Sequence, residues 1–127
     1  MIKERICSYK LSKLLQKKGF DEECKTWYTS EDMIGEVNDC IGSQSNSDHY
    51  ATDFECTAPT HQMAMDWLRI AHRLYIVIEQ SRMDENSFMF KITHPLSFRY
   101  NMWTDLRDYP DFGSAVEAAC TYALSFL

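Results

Sequence analysis

Between Phe54 and Gln80 the apolar positions change period twice. Phe54-Glu55-Cys56 reads as a short strand, and Thr57-Ala58-Pro59-Thr60 follows it with residues that turn and cap. Met63, Trp67, Ile70, Ala71 and Leu74 then recur at helical spacing. They predict an amphipathic helix starting near Thr57 or Thr60, with that stripe turned inward. Leu74, Ile76 and Ile78 alternate at strand spacing immediately afterwards. Burying each large side chain of such elements stabilises a fold by about 1.5–3 kcal/mol.

The same reading extends to both sides. Ser8 predicts an N-cap for a helix over Tyr9 to Lys18 that Gly19 stops, with Tyr9 or Leu11, Leu14, Leu15 and Lys18 as a narrow stripe. Lys25 to Thr29 is rich in β-formers and predicts a strand. Residues 30–53 are acidic and polar, which predicts a mobile loop with one helical turn near Met33 to Val37. Beyond the central helix three strands are expected, Leu74–Gln80, Ser87–Thr93 and Ser97–Trp103, joined by turns at Met83–Ser87 and Thr93–Leu96. Alternation assigns Ile76, Ile78, Phe88, Phe90, Ile92, Phe98, Tyr100 and Met102 to one face, and Tyr75, Val77, Glu79, Met89, Lys91, Arg99, Asn101 and Trp103 to the other. Short connections make this an antiparallel meander. A last helix begins at Asp111, with Asp111 or Ser114 as its cap; Ser114 would form a capping box with Glu117. Its expected stripe is Phe112, Val116, Ala119, Ala123 and Phe126 or Leu127. The class that follows is α+β: one domain over 1–127, an antiparallel sheet of three or four strands with helices packed on it.

Composition narrows the possible functions more than it selects one. The apolar and charged fractions, 45% and 25%, are those of a globular domain. No secretory leader is expected, no run is long enough to cross a bilayer, and five scattered cysteines form no CxxC pair. Reduced thiols in a cytoplasm are the corresponding expectation. The net charge is −6 and unevenly spread: residues 1–20 hold six bases against Glu4, whereas 21–66 hold eleven acids against Lys25. An acidic chain is repelled by phosphate backbones unless its bases are segregated.

Catalytic spacing is absent from the sequence. His61 and His72 stand about three helical turns apart, too far to share an ion, so no metal or other cofactor is expected. Cys56 lies beside Glu55, which disfavours a thiolate, and Cys120 reads as a small core residue. A hydrolase or transferase built on Cys56, His61 and Asp53 is the weakest functional class. Two surfaces draw attention. Lys10, Lys13 and Lys17 share a face of the first helix, and Tyr75, Lys91, Arg99 and Trp103 interleave aromatics with bases on the sheet. Either could bind a partner; a solvated helix face and a covered sheet face are the simpler readings.

Several segments together resemble small proteins of bacteriophages and of prophage regions in gut-dwelling bacteria. They are Ile6 to Cys24, the Trp27-Tyr28 pair, Ala58-Pro59-Thr60 with Ala64 and Trp67-Leu68-Arg69, and Tyr109 to Leu124 with Ala115, Glu117 and Ala118. Gly113 and Ser114 stand where similar sequences carry acids. The resemblance implies a mobile-element context and no catalytic residues. The resulting expectation is a non-enzymatic, cytoplasmic interaction or accessory protein of phage or prophage origin, with a protein partner or a second copy in a homodimer. The alternative is a nucleic-acid-binding protein, or an acidic mimic of nucleic acid using Asp21 to Asp66.

Overall fold

A computed structural model describes residues 5–81, 86–96 and 99–127, with side chains outside 95–107. The chain is α+β and divides into two compact units, Met1–Gln62 and Met63–Leu127.

The first unit holds helix α1 (Tyr9–Lys17) and strands β1 (Thr26–Ser30), β2 (Met33–Glu36) and β3 (Cys56–Thr57), in the sheet order β2-β1-β3. The Ser8 side chain accepts from Leu11 N–H, as expected of the cap. At the other end Gly19 takes φ +100°, Gly19 N–H reaches Gln16 O, and Phe20 N–H reaches Leu15 O. That pair of bonds is a Schellman stop, and buried Phe20 and Leu15 supply its apolar contact. Tyr28, Cys56 and Ala58 form a core cluster against which Ile6 and Tyr9 pack. Tyr28 Oη donates to Cys7 O at 2.7 Å, satisfying a buried hydroxyl.

Met33 to Val37 forms no helical turn; Met33–Glu36 is β2, antiparallel to β1. Ser30 pairs with Met33, leaving Glu31-Asp32 as the connection and Thr29 as the irregularity in register. A hairpin without Asn-Gly or a glycine at its tip carries little local signal. The expected strands near 25–29 and 54–56 appear as β1 and β3. They pair with each other in this separate sheet and stay out of the meander.

The second unit holds most of α2 (His61–His72), then β4 (Tyr75–Gln80), β5 (Phe88–Leu96), β6 (Arg99–Tyr109) and α3 (Phe112–Leu124). The three strands form the antiparallel meander β4-β5-β6 that alternation predicts, with α3 packed on it. Residues 83–85 of the expected first turn lie outside the described residues; Ser81 N–H donates to Ser87 O across it. The second turn is displaced, because β5 continues through Pro95 to Leu96. β4 pairs with β5 only as far as Thr93, so Pro95 sits where one side of β5 has no ladder to interrupt.

Three expected faces are corrected. Ile76, Ile78 and Gln80 pair with Ile92, Phe90 and Phe88 as alternation requires, but Leu96 pairs with Arg99, so Ile92 meets Trp103 and Thr93 meets Met102. The odd and even rows of β6 are thereby exchanged, a one-residue consequence of turn length. In α2 the buried apolar residues are Ala64 and Leu68, while Ile70 is 71% exposed. The helix ends at His72 and Arg73 turns left-handed at φ 57°, so Leu74 never belonged to the helical stripe. In α3 the cap is Asp111, accepting from Ser114 N–H at 2.8 Å. Buried Val116, Ala119, Cys120, Ala123 and Leu124 form its inner side, with Phe112 and Phe126 exposed.

Candidate functional site

The first unit gathers most of the polar chemistry. Tyr9, Lys13 and Gln16 fall at i, i+4 and i+7 on α1. Tyr9 Oη donates to the Glu55 carboxylate, and Gln16 Nε2 donates to Glu55 O at 2.9 Å. The hydrogen bond to Glu55 leads in pushing the Tyr9 phenol up to about 12, with burial and the same negative charge adding to it. Lys13 is half-buried on the flank of this row, near enough to Cys56 to favour its thiolate, whereas Lys10 and Lys17 are exposed. The expected lysine face is therefore two exposed cations and one drawn toward β3.

The sheet residues of the second proposed surface are placed as follows. Tyr75 and Val77 are exposed on β4, and Lys91 Nζ lies 3.1 Å from Glu79 Oε1 across the β4–β5 ladder. Lys91 takes the register position opposite Thr104, and Trp103 the one opposite Ile92, so these two belong to alternate rows. Arg99 takes the position opposite Leu96; the side chains of Arg99 and Trp103 lie outside the described residues.

The thiols are set mainly by burial. Burial pushes Cys24 and Cys56 up to about 11 and Cys120 to about 12. For Cys56 the Lys13 charge opposes that rise and Glu55 adds to it. The buried Thr57 hydroxyl faces the Cys24 thiol and favours its thiolate, yet makes no hydrogen bond of normal geometry among the described residues. Sequence spacing missed one juxtaposition. The Ile6–Thr60 bridge brings Cys7 Sγ within 4.8 Å of a His61 ring nitrogen. Cys7 Sγ donates to Thr60 O at 3.8 Å. Both residues are buried. Positions so far apart in sequence offer no spacing signal; only the pairing of their neighbours unites them.

Residues 38–53 are organised by side chains and not by a ladder. Gln44 is fully buried and exchanges two backbone bonds with Cys24. Its Oε1 accepts from Tyr50 N–H at 2.7 Å and Ala51 N–H at 3.3 Å, while Nε2 donates to Gly42 O at 3.0 Å. Asn46 Nδ2 donates to Phe20 O and its Oδ1 accepts from Thr57 N–H. The Ser47 hydroxyl and then its N–H donate to the Asp21 carboxylate and hold it below the usual range.

One accessible feature of this unit is β2. It is an edge strand, and Met33 and Ile34 are 62% and 52% exposed. Glu31, Asp32, Glu36, Val37 and Asp39 are exposed around them. Trp27, buried on β1, lies directly over Gly35: a Cβ there would come within 2.3 Å of Trp27 Nε1. The indole thus braces the strand from one face and leaves its outer edge open. Among the described residues no helix is long and apolar enough to cross a membrane. Compared with known protein families, curated proteins and solved structures, the chain matches none.

Proposed function

We propose that the protein is a non-enzymatic interaction module that binds a protein partner through the open edge of β2. One observation carries this reading: apolar Met33 and Ile34 are more than half exposed on a strand whose backbone is braced and, among the described residues, pairs with no strand on its outer side. Such edges are normally blunted or covered, because they template pairing with another chain. The buried thiols, pushed to about 11 and 12, fit a protein that does not use them as nucleophiles. A cytoplasmic setting and a phage or prophage context belong to the same proposal, as does self-association as a competing use of the edge.

The nucleic-acid reading has weaker support. Exposed Lys10 and Lys17 remain available, but Glu79 offsets Lys91, and residues 21–66 carry a large acidic excess. A photo-cross-linking residue at position 34, compared with one at exposed Thr121, tests the leading reading in expressing cells. A discrete protein adduct formed from position 34 alone supports it. Equal adducts from both positions, or salt-sensitive adducts with nucleic acid alone, overturn it.

A further inference from the structure

Resting on the interaction reading, we infer that the β2 edge takes a basic, extended segment of another protein as an added strand. The backbone sets the geometry. Val37 N–H donates to Lys25 O, and Trp27 pairs with Gly35. Hydrogen-bonded and non-bonded pairs alternate along an antiparallel ladder, so Gly35 and Val37 direct their peptide groups at β1. Ile34 and Glu36 direct theirs away from it. The N–H and C=O of these two residues are the docking points for an incoming strand.

Charge selects the occupant. Glu31, Asp32, Glu36 and Asp39 are all exposed on or beside β2, and no Lys or Arg lies between Thr26 and Asp53 in sequence. A second copy would bring the same acids against these, and like charges across a strand pair are destabilising. A segment alternating apolar and basic residues meets both demands: its apolar row covers Met33 on one face, and its basic row lies on the other, where the stems cover Ile34 and the cations approach Glu36. The acids thus guard the edge against self-pairing and select a cationic strand.

An alternating Lys-Val peptide and an alternating Glu-Val peptide are the probes, read by fluorescence anisotropy and by amide protection. The Lys-Val peptide should bind and slow exchange at the Ile34 and Glu36 amides. Ile34→Pro deletes an outward N–H while sparing the bonds to β1, and should weaken binding by about tenfold or more. Joint Asp32→Lys and Glu36→Lys should invert the preference toward the Glu-Val peptide. Lys-Val binding that leaves both amides unprotected and is unaffected by Ile34→Pro would overturn strand addition in favour of loose charge attraction. A dimer of the unmodified protein abolished by Ile34→Pro would overturn the occupant. No peptide binding, alongside a persistent adduct at position 34, would overturn the basic-strand inference and spare the interaction reading; loss of the adduct would remove both. If Ile34→Pro does not fold, amide protection in the unmodified protein still decides.

Discussion

Gln44 holds residues 42–51 together through one buried amide whose oxygen takes two backbone donors and whose nitrogen serves a carbonyl. Truncating it leaves those part-buried backbone groups without their partner. Gln44→Ala should therefore cost about 1–3 kcal/mol, read as a lower midpoint in urea. Two titrations belong to the same scale. Asp21 is held below its ordinary value in the folded state, so its contribution is present above the unfolded carboxylate range and fades as pH falls through the folded one. Ser47→Ala should flatten that acid limb of the stability profile. Tyr9 behaves oppositely: its folded value of about 12 exceeds the ordinary 10, so its contribution is intact below 10 and lost as pH climbs to 12. Tyrosinate absorbance should include a late-titrating phenol contribution, and Tyr9→Phe should remove it. Neither titration was legible in the sequence, because Glu55 and Ser47 reach their partners only through tertiary pairing.

At the scale of elements, caps were readable and phases were not. Ser8, Gly19 and Asp111 act through their own few neighbours, so residue type nearly suffices to place them. The inward side of α2 depends on where the helix stops, and Arg73 stops it in a left-handed turn that no glycine announces. Arg73→Gly relieves the Cβ crowding of that conformation and should raise stability by about 0.5–1 kcal/mol in thermal melts. β2 stayed hidden because a four-residue strand containing Gly35 looks like loop until Trp27 covers it. Gly35→Ala drives a methyl into the indole and should cost about 1–3 kcal/mol, with a red-shifted Trp emission as the ring is displaced.

Over the whole chain, the distribution of thiols gives the simplest prediction. Cys40 is exposed and the other four cysteines are buried. A disulfide reagent should modify one thiol promptly in the native protein and the remaining four only in denaturant, with Cys40→Ser abolishing the fast phase. The same distribution separates what is stable in this fold from what is available. Buried side chains secure each unit, while the described surface that remains apolar and open on the first unit centres on Met33 and Ile34.

The sequence by itself determined the α+β class, the meander, the three helices and the Ser8 and Gly19 ends of α1, since these follow from periods and short-range hydrogen bonds. Tertiary structure decided the division into two sheets, the register of β6, the Cys7–His61 approach and the open edge of β2. The reason is range. A period is written in neighbouring residues, whereas register and edge status depend on which distant strand occupies the other side of a backbone.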